Sequence, residues 1–192
     1  MLRRSLLTSA IAASLLTTFS LPAFATQVYE TDLVIIGGGL SGLAAAQSAV
    51  DQGAKPIVLE KEAALGGGEN FPEGSLGVGT RYQKEHNINT TVDQVLTAAL
   101  QYHHYRADPH VLRVLIEESG KTIDWVMDKG AQMRGIRTMY PKDESLMTWH
   151  LFKGGAAGII QRFAKEVRAK GGTILTETPA KKLIVENGKV VG

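Results

Sequence analysis

The run Asp32-Leu33-Val34-Ile35-Ile36-Gly37-Gly38-Gly39-Leu40-Ser41-Gly42 decides how the rest of the chain is read. Its first five residues are mostly apolar and β-branched, which predicts a short, fully buried strand. Leu40 to Gln52 is rich in alanine and closes on Gly53, which predicts a helix with a glycine at its C-terminal end. Pro56 to Glu60 (P-I-V-L-E) predicts a second buried strand. Strand, glycine turn, helix and strand within about 30 residues make a βαβ unit, whose crossover is almost always right-handed. The fold class is therefore α/β, built on a parallel sheet.

Gly37, Gly39 and Gly42 occupy the three glycine positions of G-x-G-x-x-G, and Glu60 stands 18 residues after Gly42, near the ~20 that separates this turn from a ribose-binding acid. Each part has a physical reason. Gly37 permits the tight turn, Gly39 lets backbone approach a pyrophosphate, and Gly42 lets helix and strand pack closely. Amides at the helix start, with the positive end of its dipole, suit a diphosphate. The Glu60 carboxylate accepts from ribose hydroxyls and repels a 2′-phosphate, which disfavours an NADP-type ligand. The pattern marks a dinucleotide and does not choose FAD over NAD.

Downstream, the glycines crowding Gly66 to Gly79 predict an irregular loop. Thr91-Val92-Asp93-Gln94 fits a capping box opening a helix to about Tyr105, and Asp108-Pro109 fits an N-cap with proline at the first helical position. That second helix is expected to bury Val111, Leu112, Val114 and Leu115. A further helical piece is expected over Lys121 to Asp128, ending at Gly130. Met133 to Lys153 suggests short strands. Gly158 to Ala169 reads as a helix and Thr173 to Thr178 as a strand. Lys182 to Glu186 and Lys189 to Val191, joined by Asn187-Gly188, read as a hairpin with a type I′ turn. Stopping at Gly192, in the return strand of that hairpin, predicts the N-terminal portion of a longer protein.

Met1 to Ala25 has a basic start (Arg3, Arg4), an apolar run from Leu6 to Leu16 and a small-x-small Ala23-Phe24-Ala25. This predicts a cleaved export signal over residues 1–25, with residues 26–192 forming the mature domain. Thr8, Ser9, Ser14, Thr17 and Thr18 interrupt the run, which argues against the ~20 apolar residues of a membrane span. Arg3-Arg4-Ser5-Leu6-Leu7 resembles a twin-arginine signal, with the general secretory route left open, and the destination is the periplasm. Lys and Arg total 21 against 19 Asp and Glu, and Arg3 and Arg4 account for the +2 formal charge. A neutral mature chain lacks the basic surplus of a nucleic-acid binder. The absence of Cys excludes disulfides, thiolate-ligated metals and a Cys-attached haem within this chain.

Asp32-Leu33-Val34-Ile35-Ile36 with its turn, Leu59-Glu60-Lys61-Glu62, and Gly66-Gly67-Gly68-Glu69-Asn70 through Glu73-Gly74-Ser75 resemble the FAD-binding domain of the fumarate reductase/succinate dehydrogenase flavoprotein family. The resemblance runs from about Thr31 to Gly192 and is densest up to Gly79. It implies a Rossmann-like, glutathione-reductase-like domain with a parallel sheet, incomplete at its C-terminus, and FAD as cofactor. It also implies that Gly66, Gly67, Asn70, Gly74 and Ser75 are loop contacts to FAD, that Ser41 contacts the pyrophosphate, and that Lys61 follows the ribose acid. Ala180, on the strand ending Thr178-Pro179-Ala180, would meet the adenine. Members with covalent FAD carry a His in this loop; none lies between Lys61 and Tyr82, which implies dissociable FAD. Gly68 and Glu69 stand where the family usually has Asn and Thr. An ionised Glu69 near the flavin would lower its potential.

The resemblance places substrate-binding and proton-donating residues beyond Gly192, so no catalytic residue is nominated. It implies an exported FAD-dependent oxidoreductase, a small-molecule substrate such as an unsaturated carboxylate, and an electron-transfer partner. A catalytically silent nucleotide-binding chain, or an NAD-dependent dehydrogenase on the same βαβ unit, are the alternatives. His103, His104 and His110 read as surface histidines, since adjacent helical residues point about 100° apart. His150, beside Trp149, is a candidate for approaching a substrate cleft. Tyr102, Tyr105, Trp125 and Tyr140 read as core or interface aromatics, and Lys165, Arg168, Lys170, Lys181 and Lys182 as solvated faces.

Overall fold

Three parallel strands form the first sheet, in the order β1–β2–β6: β1 (Val34–Ile36), β2 (Ile57–Leu59) and β6 (Thr173–Leu175). Val34 stands beside Ile57, and Ile57 in turn beside Thr173. A computed structural model describes residues 27–140 and 145–192 of the chain, so the expected export signal lies outside the described residues. Helix α1 (Leu40–Asp51) carries the β1–β2 crossover. It is alanine-rich, hence intrinsically helical, and it ends in a Schellman motif. Ala54 and Gly53 donate back to the carbonyls of Ala49 and Val50, and Gly53 takes φ +83°.

The crossover from β2 to β6 is long and carries a second, antiparallel sheet in the order β3–β5–β4: β3 (Gly74–Leu76), β4 (Met133–Thr138) and β5 (Met147–Phe152). It also carries a 3₁₀ turn (Gly67–Asn70), α2 (Arg81–Glu85), α3 (Val92–Tyr102), α4 (Pro109–Asp128) and α5 (Gly155–Ala169). The capping box at Thr91 and Gln94 forms in both directions, and the Asp108 carboxylate accepts the amides of His110 and Val111. The closing hairpin, β7 (Val185–Glu186) and β8 (Lys189–Val190), turns at Asn187 and Gly188, both with positive φ as a type I′ turn requires.

The core clamps α1 to α5. Leu43 of α1 meets Ile159, Ile160 and Phe163 of α5, together with Ile123 and Val126 of α4 and Phe152 of β5. Ala46, Val50, Val58 and Val167 join that pair of helices to β2. A separate cluster of Val78, Val95, Leu96, Ala99 and Ile116 holds α3 on α4. The short side chains of Ala46 and Ala49 let the helices approach, and truncating the fully buried Phe163 to Ala would cost about 3–5 kcal/mol.

Several expectations are corrected. β1 is an edge strand with Val34 50% and Ile36 61% exposed, because among the described residues only β2 pairs with it. The glycine-rich Gly66 to Gly79 segment contains a 3₁₀ turn and β3 rather than irregular loop alone. α3 stops at Tyr102 because His104 and Tyr105 take φ of 52° and 56°. One continuous α4 replaces two helical pieces, and it buries Ile116, Ser119, Gly120, Ile123 and Val126 while exposing Val111, Val114 and Leu115. Tyr102 and Tyr105 are exposed rather than core, whereas Tyr140 is buried and Trp125 packs edge-on against Phe163. Lys170 is no free solvated charge: it bonds both Asp51 and Glu166.

Candidate dinucleotide site

The chain leaves β1 through Gly37, whose φ of +102° a side chain would strain. The Gly37 amide still donates to Leu59 at 2.8 Å, extending the parallel ladder into the turn. Gly39 is the N-cap of α1, with φ −73°, ψ 178° and no side-chain cap. The first amides of this helix have no intrahelical acceptor, and no side chain is supplied to occupy them. A Cβ on Gly42 would overlap the Gly37 carbonyl oxygen, while one on Gly39 would have only the Gly66 carbonyl, 4.0 Å away. The third glycine is thus required by packing, and the second keeps the space over the helix start open. Ser41 is exposed in the first turn of α1.

Glu60 follows β2 and is 8% exposed. Its Oε2 accepts the Gly38 amide at 2.7 Å and its Oε1 accepts the Glu62 amide at 2.9 Å. The Glu62 and Gly38 amides hold its pKa below the ordinary carboxylate value, against the opposing effect of burial. An ionised carboxylate has about four lone-pair sites, so two amides leave acceptor capacity for ribose hydroxyls. Lys61 is exposed and pairs with Glu62.

The Gly66 loop folds onto this turn, with the Gly66 amide donating to Gly38 at 2.9 Å. Gly66 and Gly67 have φ of +100° and +52°. Asn70 turns inward, its amide bonding the carbonyls of Leu65 and Gly67 at 2.9 and 3.3 Å. A Cβ on Gly66 would lie 2.6 Å from the Asn70 amide. Asn70 therefore shapes the loop, and Glu69 is exposed beside it. The segment after β6 returns to Glu60, as the Thr178 amide donates to the Glu60 carbonyl at 2.8 Å. Ala180 lies exposed two residues further on.

Thus Gly37, Gly39, Gly42, Glu60, Gly66, Gly67 and Asn70 form one connected turn-and-loop constellation at the carboxyl ends of β1 and β2, with Ser41 and Lys61 on its flanks. Gly74 and Ser75 lie on β3, opposite Leu151 and His150. A Cβ on Gly74 would overlap the His150 carbonyl oxygen, which accounts for glycine there by sheet packing. His150 does not approach an open cleft; it is fully buried. A cavity of about 530 Å³ lies behind the loop between Ala63, Leu65, Asn70, Ile160, Arg168 and Thr176, and none of the turn glycines lines it. Gly38 was missed as a functional position, because the motif treats it as a free site. Its amide is Glu60's partner, and a side chain there would meet Leu65 and Glu60. Bare helix amides, a backbone turn open at Gly39 and a buried acid with spare acceptors fit an adenosine diphosphate group.

Comparison with known proteins agrees with this geometry. The profile of the FAD binding domain matches residues 32–192. A vinyl phenol reductase of Lactiplantibacillus plantarum is 35% identical over 150 residues, covering 78% of this chain and 30% of its own length. An NADH:fumarate oxidoreductase of Klebsiella pneumoniae is 27% identical over 173 residues, covering 84% of this chain and 18% of its own length. The open conformation of a flavocytochrome c3 fumarate reductase shares the fold, with a TM-score of 0.69 at 22% identity over 84% of this chain and 29% of that one. The chain therefore spans less than a third of the length of these relatives. From its glycine turn to its closing hairpin, it belongs to the FAD binding domain family.

Proposed function

We propose that this chain is the FAD-holding part of an exported oxidoreductase that reduces an activated carbon–carbon double bond in a small molecule, with unsaturated carboxylates as the first class to examine. The observation that carries the reading is the Glu60 carboxylate buried against the amides of Gly38 and Glu62, one residue from the open N-terminus of α1. That arrangement binds and orients an adenine dinucleotide at its sugar and diphosphate. The flavin ring, when bound, supplies the hydride or electron chemistry. The chain's own residues hold the diphosphate on the amides of Leu40 and Ser41, fix the ribose at Glu60, and fold the Gly66–Asn70 loop over the turn. The substrate class rests on the relatives' names: vinyl phenol and fumarate each carry a carbon–carbon double bond conjugated to an electron-withdrawing or aromatic group.

The flavin is held without a covalent bond, since no His lies between Lys61 and Tyr82. The leader, Met1 to Ala25, directs export to the periplasm and is cut before Thr26. An electron-transfer partner then supplies reducing equivalents. Purification of the full-length gene product from the periplasm tests each part. It should be yellow, begin at Thr26, and release its FAD to the supernatant on acid precipitation. It should also oxidise a reduced dye when given fumarate, acrylate or a vinyl phenol. Colourless protein that binds NADH instead would replace this reading with an NAD-dependent dehydrogenase.

A further inference from the structure

The cavity of about 530 Å³ behind the Gly66–Asn70 loop has a chemistry of its own. Its apolar walls come from the Ala63–Leu65 segment and from Ile160 and Ala164 of α5. Its polar groups are Asn70, Gln161, Lys165, Arg168 and Thr176. Gln161, Ala164, Lys165 and Arg168 follow one another at i, i+3, i+4 and i+7, so α5 turns a single stripe toward the cavity. The lining therefore carries two cations and no acid. Glu69 and Glu177 adjoin Asn70 and Thr176 in sequence, but neither lines the cavity. Glu166, which lies between the two cations in sequence, holds Lys170 instead at 2.8 Å. Among the described residues, neither Lys165 nor Arg168 makes an ion pair. Hydropathy marks both as a solvated face; they are exposed, yet the surface they cover is concave. Like charges three residues apart on one helix face repel, and an anion seated between them relieves that repulsion.

We propose that this cavity is a second ligand site, which binds a small organic carboxylate carried on a flat apolar body such as an aryl ring. The ring lies against Leu65, Ile160 and Ala164, and the carboxylate is held by Arg168 and Lys165. Three features select this class. The size suits a small molecule. The apolar walls give an inorganic anion nothing to bury, whereas a ring removes its own surface and theirs from water. The planar guanidinium of Arg168 matches a carboxylate in two parallel hydrogen bonds. Arg168 also stands in the last turn of α5, where the negative end of the helix dipole disfavours a dianion such as phosphate. The site is distinct from the dinucleotide site, since Gly37, Gly39, Gly42 and Glu60 are absent from its lining. The inference therefore does not depend on the FAD reading above.

The test is photolabelling of the full chain with 4-azidobenzoate, with and without FAD, located by peptide mass mapping. Label should fall on residues 61–70 and 160–176 in both samples. Excess benzoate should suppress it. Benzyl alcohol, a ring without the charge, and inorganic phosphate, a charge without the ring, should not. Lys165→Gln and Arg168→Gln change exposed side chains and leave the core untouched. Each should raise the benzoate concentration that halves labelling about tenfold. Ala63→Leu, also at an exposed position, fills the cavity and should abolish label in both segments. Label absent from both segments in wild type overturns the inference, the cavity then being closed by the protein's own chain. Suppression by phosphate, or benzoate competition unchanged in both glutamine variants, overturns it as well. Label that appears only without FAD would make the cavity part of the dinucleotide site and overturns it too. A chain that takes up no FAD but labels as expected overturns the FAD reading and leaves this site standing.

Discussion

The Gly38 amide donates to Glu60 Oε2 at 2.7 Å, so the acid of the second strand braces the turn of the first before any ligand arrives. The ribose acid is therefore also a structural acceptor. Its pKa is lowered by the Glu62 and Gly38 amides, so its contribution to stability is present above the ordinary carboxylate value of 4.5 and is lost as pH falls through the depressed one.

Glu60→Gln replaces one acceptor oxygen with an N–H donor, which must face either the Gly38 or the Glu62 amide. We expect a loss of about 2 kcal/mol in stability and a roughly thirtyfold weaker FAD Kd. Chemical denaturation and flavin titration check these separately. Stability unchanged in the variant would show that the Gly38 contact carries no weight.

Gly39→Ala and Gly42→Ala separate binding from folding. A methyl on Gly39 has no neighbour nearer than the Gly66 carbonyl at 4.0 Å, so the chain should fold with near wild-type stability. That methyl would project into the space left for the diphosphate, and FAD affinity should fall at least tenfold, about 1.4 kcal/mol. On Gly42 the methyl would overlap the Gly37 carbonyl oxygen, and stability should fall by about 1–3 kcal/mol. Thermal melts with and without FAD read both outcomes.

Asn70→Ala removes two hydrogen bonds that shape the Gly66–Asn70 loop, to Leu65 and Gly67. Asn70 is exposed, so global stability should change by less than about 0.5 kcal/mol. Hydrogen exchange at the Gly66 and Glu69 amides should quicken, and FAD should dissociate faster. A variant that releases FAD at the wild-type rate would show that the loop does not close over the cofactor.

The βαβ unit was legible because its signals are local: glycines at 37, 39 and 42, an alanine-rich helix, and an acid at the end of the next strand. The capping box at Thr91 and Gln94, the Asp108 N-cap and the Asn187-Gly188 turn were legible for the same reason, although the box at Thr80 and Gln83 went unread. What escaped depends on distant partners. Hydropathy marks Val111, Val114 and Leu115 as the inner face of α4, yet the inner face carries Ser119 and Gly120. Ser119 Oγ accepts the Val78 amide at 3.0 Å, and a Cβ on Gly120 would overlap the Val78 carbonyl oxygen. Small residues were needed where another segment's backbone presses close, and no periodicity announces that. Likewise β3, as Gly-Ser-Leu, has little strand propensity and exists through its pairing with β5, far along the chain. The exposure of β1 depends on what lies beside it in the sheet, and an apolar run carries no information about its neighbours.

Asp51, at the end of α1, joins three helices. It pairs with Lys129 after α4 and Lys170 after α5, and it accepts from Gln47 at 3.1 Å. Lys129 and Lys170 lower its pKa from 3.8 to about 2, against a smaller raising effect of burial. The stabilisation is therefore complete above pH 3.8 and is lost as pH falls through about 2. The Asp51 side chain is 22% exposed, so part of the gain is screened, and about 1–2 kcal/mol is expected at neutral pH. Asp51→Asn should lose that amount at neutral pH and almost nothing near pH 2, so the two unfolding curves should converge as acid is added. Because the cluster ties α1 to α5 away from the glycine turn, the variant should bind FAD with wild-type affinity where both are folded. Curves that stay parallel down to pH 2 would assign the loss to packing rather than to the charge.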